Sequence, residues 1–420
     1  MNIWPTNPHH RGWLSGERTR LIEFGLGQVP DTAGARWLDE RGQVDPSRPV
    51  PTWLTARAVH VQSLGHLLGI PGSRPAAERG MRALTGNLRD AEHGGWYAAV
   101  GVDGVPDGTK SAYAHAFVVL AAATATVAQL DGAEELLDEA LSVLDQSFWD
   151  PAAGMHVDEW DRAFTELSPY RGINANMHAV EALLAAADAL EQPRWADRAA
   201  VVAGRTAVWA EENGWRVPEH FDAGWTPQLD LNADRPEDPF KPYGATVGHG
   251  LEWSRLLLQV SAATAPDYAP TGELGEVSQQ LYRRAVDDGW HADGAEGFVY
   301  TTDWSGKPVV RRRMHWVAAE AIAAAAALHR ATGDDTYAVD YSRWWDYTAE
   351  HLIDRVHGSW HHELDEHNRP SGQVWPGKPD LYHAVQATLL PVLPLTPGPA
   401  VAVRDSLWVA RAQANRYIQP

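Results

Sequence analysis

Alanine- and leucine-rich runs with apolar residues at helical spacing recur along this chain, and short turns built on glycine and a ring-bearing residue separate them. The turns read Gly94-Gly95-Trp96-Tyr97, Gly154-Met155-His156-Val157, Gly214-Trp215-Arg216-Val217, Gly297-Phe298-Val299-Tyr300 and Gly358-Ser359-Trp360-His361. Most lie about sixty residues apart, a length that holds two helices and a hairpin-like turn. The spacing predicts helices over 52–69, 111–129, 132–148, 175–191, 194–212, 246–263, 274–289, 314–332, 335–354 and 380–393. Period-two alternation is confined to short stretches such as 154–160 and 297–303. With no strand–helix–strand alternation, a parallel sheet is not expected. About a dozen antiparallel helices joined in pairs can close into a double ring, with the turns at one end forming the mouth of a central cavity. No linker divides the chain, so 1–420 is read as one toroidal all-α domain with short β-turn strands at one end. The proline-rich stretch 218–242 reads as a long functional loop.

Composition narrows the partners. The formal charge is -20, which disfavours nucleic acid, whose phosphates need basic surfaces. Cysteine is absent, so neither a disulfide framework nor thiol chemistry is available. No apolar run reaches membrane-spanning length, and no charged n-region precedes an apolar h-region at the N-terminus. A cytoplasmic location without membrane association is the expectation; oligomerisation is left open. The 20 tryptophans can fill a large core, or line a cleft and stack on the C–H faces of sugars.

The chemistry concentrates where helices begin. Pro169-Tyr170-Arg171-Gly172-Ile173-Asn174-Ala175-Asn176-Met177-His178-Ala179-Val180-Glu181 runs directly into an alanine-leucine helix. Asn174, His178 and Glu181 are four and three residues apart and share a helical face, so an amide, an imidazole and a carboxylate stand together. Trp53-Leu54-Thr55-Ala56-Arg57-Ala58-Val59-His60 places Arg57 and His60 on one face. In Gly248-His249-Gly250-Leu251-Glu252-Trp253, His249 and Glu252 pair, and the flanking glycines would let a ligand approach the imidazole. Arg313-Met314-His315-Trp316-Val317-Ala318-Ala319-Glu320, Lys110-Ser111-Ala112-Tyr113-Ala114-His115 and Lys378-Pro379-Asp380-Leu381-Tyr382-His383 repeat the theme. One buried histidine is an ordinary core residue, but histidines at the same end of several inner helices point to a cavity that repeatedly bears their desolvation cost. Imidazole, with a reference pKa of about 6.5, accepts and returns a proton near neutrality. Metal ligation is the competing use: His-x-x-Glu occurs at 178–181 and 249–252, but no His-Glu-x-x-His zinc motif is present. No metal and no cofactor are assigned. Phosphate-binding glycine loops and a Gly-x-Ser-x-Gly elbow are also missing.

In the segments 170–181, 248–253, 313–316 and 380–384 the chain resembles the N-acylglucosamine 2-epimerase superfamily, nearest its mannose isomerase and sulfoquinovose isomerase branch. The resemblance spans about residues 50 to 395 and implies an (α/α)6 barrel that catalyses aldose–ketose isomerisation without a metal. By that resemblance His383 moves the proton between C2 and C1 through a cis-enediol, His249 opens the pyranose, and Glu252 supports the proton traffic. Arg57, Asn174 and His178 would contact sugar hydroxyls and the developing oxyanion. Trp53, Tyr113 and Trp316 would form the cavity wall, and Glu320 is also placed among the substrate-binding residues.

The implied substrate is a monosaccharide. D-mannose with D-fructose as its ketose, or D-lyxose, is favoured over sulfoquinovose, whose sulfonate needs dedicated donors; Lys378 is the one candidate for such a grip near Trp360-His361-His362-Glu363. Sugar 2-epimerisation on the same scaffold is the nearest alternative. A glycoside hydrolase, using Asp158-Glu159 or Glu363 with Asp365 as its carboxylate pair, is a remoter one.

Overall fold

The computed structural model describes residues 4–264 and 273–406. Its α-helices are α1 (Pro8–Phe24), α2 (Thr52–Leu67), α3 (Ser73–Thr85), α4 (Ala112–Val127), α5 (Ala133–Val143), α6 (Ile173–Leu190), α7 (Pro193–Glu212), α8 (Val247–Thr264), α9 (Glu273–Gly289), α10 (His315–Thr332), α11 (Asp335–Tyr347) and α12 (Tyr382–Leu389). A further helical segment, 399–406, reaches the end of the described residues.

The even-numbered helices pack side by side in the order α2, α4, α6, α8, α10, α12, and α12 returns to α2. The odd-numbered helices surround them. Each of α3, α5, α7, α9 and α11 packs on the inner helix that precedes it, and α1 packs on α12. The first helix therefore completes the sixth pair, and the architecture is an (α/α)6 barrel.

Sequence dictates which ring a helix joins. In α4 only Tyr113 and Thr126 escape full burial, as suits an element enclosed on all sides. The outer helix α9 buries a stripe of Val277, Ser278, Leu281, Tyr282 and Ala285, while Glu273, Glu276, Arg283 and Asp287 face solvent.

Two-residue strands hold the inner helix starts together. Val50–Pro51 pairs with Ala99–Val100, Lys110–Ser111 with Glu159–Trp160, Arg171–Gly172 with His220–Phe221, Ala245–Thr246 with Thr301–Thr302, and Arg313–Met314 with Glu363–Leu364, all antiparallel. Each time, the strand before an inner helix meets the chain leaving the following outer helix. Before α12 the same relation shrinks to the Lys378 N–H donating to the Leu38 carbonyl at 2.8 Å. These ties bring the N-terminal turns of the inner helices to one end of the barrel.

Two helices, α1 and α3, lie outside the ranges expected from periodicity. The buried side of α1 mixes Leu14, Leu21 and Ile22 with Glu17 and Arg18, and that of α3 is mostly small: Ala76, Ala77, Gly80 and Ala83. In α1 the charged residues on the buried side blur the periodicity; α3 does segregate an apolar face, but Pro75 and Gly80 in a charge-rich run weigh against reading it as a helix. The helices expected to run to 148 and 354 leave α-geometry earlier and finish in wider π turns over Leu144–Phe148 and Thr348–Leu352. Among the described residues no helix is long and apolar enough to cross a membrane.

Candidate active site

The first and second turns of the inner helices open into one cavity enclosing about 730 Å³ of empty space, part of it open to solvent. Trp53 and Arg57 come from α2, Tyr113 from α4, Asn174 and His178 from α6, His249 and Glu252 from α8, Trp316 from α10 and His383 from α12. The loop 218–242 contributes Pro239, Phe240 and Pro242 to the mouth. Because helix N-termini face the cavity, their partial positive charge favours any anion that forms there.

Two histidines flank one tryptophan. The Trp316 ring centre lies 5.3 Å from that of His249 and 5.6 Å from that of His383. Each imidazole is tied at Nδ1 to a carboxylate: His249 to Glu219 Oε2 and His383 to Glu320 Oε1, both at 2.8 Å. An ionised carboxylate at Nδ1 takes the N–H there and leaves Nε2 as the lone-pair nitrogen. Glu219 is fixed by the Thr246 N–H at 3.1 Å, and Glu320 by Arg255 Nε at 3.1 Å.

Three expectations are corrected here. The carboxylate that orients His249 is Glu219 rather than Glu252. Glu252 lines the cavity beside His178, 3.8 Å from its Nδ1, and contacts Arg255 at 3.4 Å. Glu320 does not line the cavity; it is fully buried behind His383. The glycines around His249 serve helix packing, not ligand approach. A Cβ at Gly248 would run into the Trp316 ring, and one at Gly250 would press on Ala285 of α9 at 3.2 Å. Gly248→Ala is therefore expected to displace Trp316 from between the histidines. Overpacking of this kind costs roughly 1–3 kcal/mol. A thermal melt and a kcat measurement on the variant check both effects, and an unchanged kcat would separate Trp316 from the histidines' geometry.

Burial dominates the electrostatics. It pushes His178 down to about 3 and His315 to about 4. Burial, with the Arg57 charge, takes His383 well below the ordinary imidazole value. Burial, reinforced by Glu320, pushes the Glu252 carboxyl well up, against the pull of Arg255. Burial opposes ionisation of Glu181 too, yet the adjacent His178, whose Nδ1 lies 3.9 Å away, and the nearby Arg255 hold that carboxyl below the usual range. Glu181 also accepts from Tyr382 Oη and, at 2.7 Å, from Gln386 Nε2.

Arg57 pairs with Asp380 and donates to Tyr113 Oη at 3.0 Å. Its guanidinium carbon stands 4.1 Å from the Phe117 ring centre and 4.7 Å from that of Tyr382. Asp380, deeply buried, is nevertheless held below the usual carboxylate range by Arg57. Asn174 Oδ1 and His178 Nδ1 are buried without a hydrogen-bond partner.

Other singled-out residues have structural uses. Asn176 accepts the His156 N–H at 2.7 Å, and His115 Nε2 accepts the Trp96 N–H at 3.1 Å. His60 bonds Thr124 and lines a separate, largely apolar cavity farther along the barrel interior. Trp96, Trp253, Trp344, Trp345 and Trp360 fill the core, whereas Trp53, Trp316 and Trp375 line the cavity. Glu363 is consumed by Ser371 and the N–H groups of Gln373, Val374 and Trp375; Asp365 caps its own turn. Asp158 and Glu159 lie in an outer groove, not opposite a second carboxylate in the cavity. Lys378 is buried on Asp354 and the Gly358 carbonyl and does not reach the cavity.

Sequence reasoning missed Glu219 and Arg255, and it gave no site role to His315 and His362, whose stacked ring centres are 4.0 Å apart and which both line the cavity. Glu219 lies just inside the loop 218–242, where no periodicity assigns a face. Donor atoms of His178, Glu181 and Glu252, and of Glu252, Glu320 and His383, cluster closely enough to hold a cation. Arg255 already supplies positive charge to Glu252 and Glu320.

Residues 34–387 match the family model described as N-acylglucosamine 2-epimerase (GlcNAc 2-epimerase). The chain is 50% identical to the D-mannose isomerase of Thermobifida fusca, over 96% of this chain and 99% of that protein. It is 44% identical to the D-mannose isomerase of Pseudomonas cannabina pv. alisalensis, over 96% and 97%. A crystal structure of D-mannose isomerase superposes with a TM-score of 0.84 at 28% identity, covering 91% of this chain and 97% of that one. The chain belongs to the N-acylglucosamine 2-epimerase family.

Proposed function

We propose that this protein interconverts D-mannose and D-fructose through a cis-enediol. The observation that carries the reading is the pair of carboxylate-backed histidines, His249 and His383, on either side of Trp316 in one sugar-sized cavity. Long relatives bearing the name D-mannose isomerase support it.

The chemistry follows from the placement. His249 takes the proton from the anomeric hydroxyl and delivers one to the ring oxygen, which opens the pyranose. His383 Nε2 then removes the C2 proton of the open aldehyde. Electron density moves onto O1, where Arg57 and Tyr113 supply positive charge and a hydrogen bond. Returning the proton to C1, with loss of the O2 proton, yields the 2-ketose. Glu252, whose carboxyl burial pushes up, can hold and release the proton that passes between O2 and O1.

An uncharged hexose suits the cavity better than a sulfosugar. Among the described lining residues Arg57 is the one cation, and Asp380 already neutralises it.

Purified protein treated with a chelator is expected to convert D-mannose to D-fructose, with partial deuterium at C1 of the ketose when the reaction runs in deuterated water. Absence of mannose turnover overturns the substrate assignment. Turnover abolished by chelation and restored by a divalent ion overturns the proton-transfer mechanism.

A further inference from the structure

We propose that Arg255 is a positioning residue for the isomerisation: it keeps Glu320 a carboxylate, so that His383 carries its proton on Nδ1 and presents a bare Nε2 to the sugar. The proposal rests on the reading of His383 as the base at C2.

Arg255 projects from α8 into the barrel interior, is 1% exposed and does not line the cavity. Its Nε donates to Glu320 Oε2 at 3.1 Å, and Glu320 Oε1 lies 2.8 Å from His383 Nδ1. Its remaining nitrogens reach Gln259 Oε1 at 3.0 Å and Glu252 Oε1 at 3.4 Å. The guanidinium is thus one step removed from the imidazole, with a carboxylate as the only intermediary.

The surroundings make that intermediary precarious. Glu181 and His178 face the site from α6, Glu252 from α8, Tyr382 and His383 from α12, and Arg57 and His60 from α2. Three carboxyls therefore share a dry interior. Arg57 is engaged by Asp380, which leaves Arg255 as the cation in direct contact with both Glu252 and Glu320. Burial drives the Glu320 carboxyl up, and Arg255 is the first influence against it.

Without that charge Glu320 would take a proton. A neutral carboxylic acid donates to Nδ1, which forces the ring hydrogen onto Nε2. An Nε2–H cannot accept the C2 proton. The site would hold every group that touches the sugar and still be inert.

Arg255→Met, assayed as the full-length protein, is expected to lower kcat on D-mannose by about 10²-fold or more while KM moves only a few-fold. The acid limb of its kcat profile should move to higher pH. In ¹⁵N-histidine NMR the His383 Nε2 resonance should change from a lone-pair to an N–H signature. Combining Arg255→Met with Glu320→Gln should cost little more than either change alone, because both act through one bond. Arg255→Lys retains the charge and is the second probe should the methionine variant not fold; it should keep the wild-type acid limb and Nε2 signature.

A folded Arg255→Met with an unmoved acid limb and an unchanged Nε2 signal overturns the proposal. So does a folded Arg255→Lys that loses the lone-pair signature. The NMR readout requires no turnover. A wild-type protein inactive on mannose whose Nε2 signal still responds to Arg255→Met would therefore sink the substrate reading and leave this one standing.

Discussion

Replacing His383 with alanine is expected to lower kcat on D-mannose by about 10²- to 10⁴-fold, the range that a positioned general base contributes. Binding should suffer far less, because Arg57, Asn174, His178 and Trp53 remain on the cavity wall. The C1 deuterium incorporation expected of the wild type should vanish in step with turnover. His249→Ala should behave differently. Mannose opens slowly by itself in water, so that variant should retain slow turnover limited by the open-chain aldehyde. In the wild type the acid limb of kcat/KM should lie below pH 6.5. The sign follows from the surroundings: burial and Arg57 hold the His383 imidazolium unstable, so the ring stays neutral, and competent as a base, to lower pH than a free imidazole would. A folded His383→Ala protein with near-normal turnover would remove the base role altogether.

Arg57→Met should be damaging twice over. It strips the cavity of its cation and leaves the Asp380 carboxylate buried without a counter-charge, held only by the Tyr382 N–H at 3.0 Å. Breaking a buried ion pair from one side costs about 3–5 kcal/mol, because the surviving charge is uncompensated. Losing a donor to the developing enediolate costs a further 10²- to 10³-fold in kcat, by the measure of oxyanion-site deletions. The two losses can be separated. Adding Asp380→Asn removes the stranded charge, so the double variant should recover much of the lost stability while kcat stays low. Denaturant melts of the wild type and the two variants decide the matter. If the double variant is as unstable as the single one, packing of the guanidinium on Phe117 and Tyr382 outweighs the ion pair. If kcat recovers with stability, Arg57 has no part in the chemistry.

The inner ring was the most legible part of the chain. Helices such as α4 and α10 carry long unbroken apolar runs, and each begins with polar residues whose spacing fixes a common face. That is why Arg57, Asn174, His178, His249 and His383 could be brought to one cavity from sequence alone. What escaped was the partner of each ring. His249 and Glu252 are neighbours on a helix, and helical spacing favours them as a pair. Glu219 arrives instead from a loop thirty residues earlier, and backbone pairing of Arg171–Gly172 with His220–Phe221 carries it to His249. Arg255 drew no notice because helical spacing alone does not show that closure of the ring turns its face inward. Pro75 and Gly80, two poor helix formers, masked α3, and α1 was masked by Glu17 and Arg18 on its buried side.

The pairing of α1 with α12 has a consequence for how the protein is made. A ribosome releases α1 well before α12, its main partner, which emerges more than three hundred and fifty residues later, so through nearly the whole of translation α1 has mainly its contact with α2, through Ile22, to cover its buried side. Long-range closure of this kind is slow and leaves incomplete chains prone to aggregation. The imidazole of His383 travels on that same late helix. A fragment halted before it can neither seal its own wall nor turn over sugar, so structural completion and the onset of activity coincide in a single late event of biosynthesis.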